Sequence, residues 1–94
     1  MVKMRNARPQ FLRTLNTSLV GQLRKAGIRA TVRAERVHGT RLHRVVVLAR
    51  KFRHLRFSER QDLIWRIANQ VLDPDQQLQI SMILTLTPDE LSGK

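Results

Sequence analysis

Cysteine is absent from the 94 residues. That excludes disulfides, thiolate-bound metal and a cysteine nucleophile. Tyrosine is absent as well, and the aromatic set is three phenylalanines and one tryptophan. The longest apolar run, Val45-Val46-Val47-Leu48-Ala49, falls far short of the roughly 20 residues that cross a bilayer, so no membrane partner is expected. No apolar stretch follows the basic start, which does not fit a secretory signal. The four glycines are isolated from one another. Glycine-rich phosphate loops are therefore missing, as is the G-x-x-G of K-homology RNA-binding domains. Paired carboxylates and a Ser–His–Asp set are equally unreadable, so no enzyme and no cofactor is expected. His38 and His43 flank a predicted turn, and two imidazoles can begin a metal site. No third ligand stands near them, so they read as exposed turn histidines and no metal is expected.

Acid is the other scarcity: seven Asp and Glu stand against eighteen Lys and Arg, for a net charge of +11. Hydrophobic residues still make up 41%, enough for a folded domain rather than a disordered chain. The charge is uneven. Residues 1–60 hold sixteen Lys/Arg and two acids, Glu35 and Glu59, for +14; residues 61–94 hold two and five, for −3. Basic excess of this density, dominated by arginine, points to a polyanion. An Arg-rich, acid-free first 34 residues also has the composition of a mitochondrial presequence. Its removal, however, would strip the first helix from a sheet that needs a second layer, so a cytoplasmic location is expected.

Residues 1–8 read as a flexible basic arm, 9–91 as one domain and 92–94 as a tail. Leu12, Leu15, Leu19 and Leu23 recur at helical spacing and Gly27 reads as a C-cap, which predicts a helix over about 9–26 beginning near Pro9. Gly21 inside it implies a close backbone neighbour, because glycine there otherwise costs about 1 kcal/mol. From Ile28 the period becomes two: Ile28, Ala30, Val32 and Ala34 alternate with Arg29, Thr31, Arg33 and Glu35, a strand with a basic outer face. His38-Gly39-Thr40 is the turn into a second strand over about 41–49. Ser58 with Gln61 predicts an S-x-x-Q capping box opening a second helix. Its Leu63, Ile64, Ile67, Ala68, Val71 and Leu72 form a broad apolar arc, opposite a wet strip of Asp62, Arg66, Asn69 and Gln70. Asp73-Pro74-Asp75 reads as a break. Ile80, Met82, Leu84 and Leu86 read as the buried side of a third strand, and Thr87-Pro88-Asp89-Glu90 as a short closing turn. The expected fold is α+β, in the order α-β-β-α-β, with a three-stranded mixed sheet and helices on one face.

Arg50, Lys51, Arg53, His54, Arg56 and Arg60 crowd eleven residues before and at a helix start. Cations beside a helix N-terminus make a phosphate seat. Arg29 and Arg33 on the sheet extend the set. None of the four aromatics falls on a predicted strand, which disfavours base stacking on the sheet. Phe52 and Phe57 read as core plugs and Trp65 as a packing residue at the edge of the helix's apolar arc.

The segments Val45–Phe52, Glu59-Arg60-Gln61-Asp62-Leu63-Ile64 and the closing Thr87-Pro88-Asp89-Glu90 resemble the BolA-like proteins, over roughly residues 9–91. That family shows an apolar strand ending in a basic–Phe pair, a glycine-containing loop, Glu-Arg-His-Arg before an apolar helix, and a last strand ending Thr-Pro-x-Glu. His54 replaces the loop glycine, Gln61 the histidine of Glu-Arg-His, and Gln79 is the nearest match to a histidine opening the last strand. The resemblance implies a type II K-homology-like fold. It also implies either nucleic-acid binding in transcription regulation or pairing with a monothiol glutaredoxin in iron–sulfur regulation. The two glutamines weigh against the second, because glutamine is a poor iron ligand. The functional expectation is a domain that contacts phosphates of DNA or structured RNA through Arg50, Lys51, Arg53, His54, Arg56 and Arg60, with Arg29 and Arg33. The alternatives are an adaptor for a glutaredoxin-like partner and a ribosome-associated factor.

Overall fold

The computed structural model describes residues 9–93, so the basic arm over 1–8 lies outside the described residues. Leu12, Leu15, Leu19 and Leu23 are all buried on one face of α1 (Gln10–Lys25), directly after Pro9. Gly27 ends it with φ +81°. There the Gly27 N–H donates to the Arg24 carbonyl at 2.9 Å and the Ile28 N–H to that of Leu23 at 2.8 Å. These two bonds satisfy carbonyls the helix leaves open, through a left-handed residue that glycine adopts without steric cost. Arg24 and Lys25 set positive charge against the negative end of the helix dipole. Gly21 departs from expectation: a Cβ there would meet nothing within 4 Å. It therefore marks no close approach.

β1 (Thr31–Arg36) pairs antiparallel with β2 (His43–Leu48), and β2 pairs parallel with β3 (Ile80–Leu86), in the order β1-β2-β3. Val32, Val47 and Thr85 form one row across the sheet and Ala34, Val45 and Ile83 the next. Both rows face the helices. Thr31–Leu48–Leu86, Arg33–Val46–Leu84 and Glu35–Arg44–Met82 form the rows of the other face. β1 begins three residues later than the alternation from Ile28 implies, although Ile28 is buried and keeps the phase.

In β3 the expected buried side is inverted beyond its first residue. Ile80, Ile83 and Thr85 are buried, whereas Met82, Leu84 and Leu86 lie on the open face. The cause is a bulge. His43 pairs with Ile80 but Arg44 pairs with Met82, so Ser81 is skipped and the phase changes.

α2 (Phe57–Val71) buries Ile64, Ile67 and Ala68 against α1 and β3, leaving Asp62, Arg66, Asn69 and Gln70 exposed. Trp65 is partly buried against the core, as read from the sequence. The helix starts one residue before Ser58, with Arg56 as N-cap. Glu59 Oε1 accepts from the Arg56 N–H at 2.8 Å, so Glu59 and not Gln61 closes the first turn. Gln61 turns to the sheet instead, its Nε2 donating to the Ile83 carbonyl at 2.9 Å and to Thr85 Oγ1 at 3.1 Å. Asp73-Pro74 opens a further helix rather than only ending one. Asp73 caps α3 (Pro74–Leu78) by accepting from the Gln76 N–H at 2.8 Å, and Gln76 returns a bond to the Asp73 N–H at 3.0 Å. Thr87 caps α4 (Pro88–Leu91) in the same way with Glu90, which makes the expected closing turn a short helix. The result is an α+β domain with a three-stranded mixed sheet and α1 and α2 packed on one face. No helix among the described residues is long and apolar enough to cross a membrane.

Candidate nucleic-acid interface

After β2 the chain enters a 3₁₀ turn over Arg50–His54. Side chains three apart share a side of such a turn. Phe52 is fully buried and Leu55 half-buried, both anchoring the segment, while Arg50 and Arg53 are exposed. Burying a phenylalanine completely contributes about 2–3 kcal/mol, so Phe52 holds the turn against the core as its reading as a plug expects. Phe57 does not. It occupies the first residue of α2 and is 60% exposed, which leaves one aromatic face beside Arg56.

Lys51, His54 and Arg56 are exposed as well. Lys51 Nζ donates to the Gly27 carbonyl at 2.6 Å, tying the turn to the end of α1. Arg29, Arg50 and Lys51 border one cleft of about 640 Å³ with Leu48 and Pro88 in its wall. Arg50 and Arg53 border a second, of about 620 Å³, that reaches α4. Arg50 and Pro88 belong to both clefts. The structure thus brings Arg29, Arg50, Lys51 and Arg53 to one end of the molecule, with His54, Arg56 and Phe57 following in the chain. Arg33 stands apart, on the open sheet face beside Val46.

Arg60 is not among the exposed cations the sequence groups it with. It is buried, and all its reach is inward. Nε donates to the carbonyls of Phe52 at 2.9 Å and Leu55 at 3.2 Å; Nη1 donates to the Thr85 carbonyl at 3.0 Å and to Glu90 Oε1 at 2.8 Å. Nη2 reaches Glu90 Oε2 at 3.3 Å, and the guanidinium carbon lies 5.7 Å from the Phe52 ring centroid. The Arg60 hydrogen bond, helped by the Thr87 N–H, holds the Glu90 carboxyl below the usual glutamate range. On the sheet, Arg44 does the same to Glu35 by hydrogen bond and charge.

Most of the other cations of the predicted set are uncommitted, Lys51 with its bond to the Gly27 carbonyl being the exception. Among the described residues the ion pairs are Arg44–Glu35 and Arg60–Glu90. The side chains of Arg29, Arg33, Arg50, Arg53, His54 and Arg56 make no hydrogen bond or ion pair there. Glu59 fills the first turn of α2 with negative charge, so that helix end is not a vacant anion seat. Gln61 is engaged with β3, and Gln79 lies exposed at the end of α3 with its carbonyl accepting from the His43 N–H at 2.8 Å. His38 is exposed and His43 half-buried, and no group of three or more His, Cys, Asp or Glu among the described residues could hold a metal ion.

Sequence reasoning missed two features here. The exposure of Phe57 was legible in the three-residue period of Phe52 and Leu55. The inward role of Arg60 was not, because its partners come from the far end of the chain. No family model, curated protein or solved structure matches this chain.

Proposed function

We propose that the chain is a non-catalytic, BolA-like nucleic-acid-binding domain, with a regulatory role, that grips phosphates through Arg50, Lys51, Arg53 and Arg56. Arg29 and His54 assist at the margins and Arg33 on the open sheet. The observation that carries this reading is the set of unpaired, exposed guanidinium groups around the 3₁₀ turn, in a chain of net charge +11. Such a cluster repels itself, and a polyanion that neutralises it relieves that repulsion. The order of α1, β1, β2, α2 and β3, with the short α3 before β3, supports the BolA-like part of the proposal. Contacts of this kind position a duplex or structured RNA without reading bases, so recognition is largely sequence-tolerant. Phe57 supplies one stacking surface for an unpaired base. Pairing with a monothiol glutaredoxin through shared metal has less support, since the Gln61 amide is bound to β3. Amide-shift mapping of the full chain with duplex DNA, hairpin RNA and single strands tests the proposal. Shifts should cluster at residues 50–57 and near 29. Shifts elsewhere, or none, would reject it.

A further inference from the structure

We propose that the open face of the sheet docks an acidic, amphipathic helical segment of a partner protein, on a surface that adjoins the basic turn and shares Arg29 and Leu48 with its cleft. The sheet is mixed, with β2 and β3 parallel and β1 antiparallel to β2, so its topology alone leaves the second face free to be open or covered. Here α1 and α2 cover one face. On the other, Val46 stands beside Leu84 and Leu48 beside Leu86, with Met82 next in line. None of the five belongs to the core cluster beneath the helices. The unbroken apolar run Val45–Leu48 is the pattern of a strand covered on two sides. β1 differs: on the same face it carries Thr31, Arg33 and Glu35, the polar alternation of a solvated strand.

Charge selects the occupant. Arg33 flanks Val46 and Arg29 precedes Thr31, and neither is paired among the described residues. Glu35, the carboxylate within these three rows, is bound by Arg44 at 2.6 Å. A second copy would press the same arginines together, each chain carrying +11. Nucleic acid can meet Arg33 through a phosphate, but it finds no aromatic in these rows to stack on. A bilayer takes up the broad apolar face of a helix, whereas on this strand surface Met82 is 45% exposed, Val46 only 8%, and Leu48, Leu84 and Leu86 are half-buried. A helix presenting leucine-like anchors to Met82, Leu84 and Leu86, and Asp or Glu to Arg29 and Arg33, fits both the apolar floor and the basic margin. It would form the third layer over the sheet.

The test titrates the isotope-labelled full chain with a helical peptide of about 18 residues, roughly five turns, bearing leucine on one face and glutamate on the other. Its twin with lysine for glutamate and vesicles of phosphatidylglycerol are the comparisons, and sedimentation follows the chain alone. The glutamate peptide should shift the amides of residues 46, 48 and 82–86 and bind about tenfold more tightly than its twin. Met82→Asp, at an exposed position, should weaken it about tenfold. Arg33→Glu should move the preference toward the lysine peptide. The proposal is overturned if those amides do not shift, if shifts fall only at 50–57, if the two peptides bind equally, if only vesicles bind, or if the chain self-associates through this face. Duplex binding, read separately on the same samples, neither rescues nor sinks it.

Discussion

Arg60 Nη1 and Glu90 Oε1 meet at 2.8 Å across thirty residues of chain. The same guanidinium holds the carbonyls of Phe52, Leu55 and Thr85, so one side chain joins the 3₁₀ turn, the end of β3 and α4. The basic segment is presented outward because an arginine within it faces inward. Alike in sequence, Arg60 and its neighbours Arg53 and Arg56 therefore divide into a support and a contact surface.

That division predicts opposite phenotypes. Arg60→Met strands the buried carbonyls of Phe52 and Thr85, and should cost on the order of 2–4 kcal/mol of stability by urea denaturation. Arg53→Glu or Arg56→Glu, at exposed sites, should change stability by about 0.5 kcal/mol or less while lowering affinity for duplex DNA. Equal destabilisation by all three would reject the distinction.

The two paired carboxylates predict an acid-side loss of stability. Glu90 and Glu35 are held below the ordinary glutamate range in the folded chain, first by their arginine hydrogen bonds. As pH falls, the unfolded chain takes up these protons first. The stabilisation is thus fully present above the ordinary glutamate pKa and disappears as pH drops through the lowered folded values. Urea midpoints measured from neutral to acid pH should fall along this course. Glu90→Gln should flatten the dependence, and an unaltered profile would count against the pairing.

Gly21 and Gly27 should respond in opposite senses to alanine. At Gly21 the space is open and the backbone helical, so Gly21→Ala should raise stability by about 0.5–1 kcal/mol. At Gly27, φ is +81°, and Gly27→Ala should lower stability by about 1 kcal/mol. Thermal melts of the two variants check both signs.

Phe57→Ala should weaken binding of a single strand by about 1–3 kcal/mol, the worth of one stacked base, and leave duplex affinity nearly unchanged. Fluorescence anisotropy with both probes separates stacking from phosphate contact. Equal losses on the two would show that Phe57 acts through the fold.

Much of the architecture was legible because it is written locally. The leucine spacing of α1, the glycine that ends it and the alternation through Val32 and Ala34 need no distant information. What escaped depends on pairing. The bulge between His43–Ile80 and Arg44–Met82 inverts β3, and no one-strand pattern contains it. Ser58 and Gln61 matched a capping box, but Gln61 found better acceptors on β3 and Glu59 took the cap. In the candidate site, exposure of Arg50, Arg53 and Arg56 followed from their surroundings in sequence, whereas Arg60 could be placed only once β3 and α4 were beside it.

The most direct measurement is the salt dependence of duplex affinity for the parent chain and for the Arg53→Glu/Arg56→Glu double variant. With four phosphates neutralised by Arg50, Lys51, Arg53 and Arg56, a plot of log affinity against log salt should have a slope of about −4. The double variant should bind more weakly with a slope shallower by about two, while its urea midpoint stays near that of the parent. A slope near zero, or one that the double variant leaves unchanged, would contradict the account.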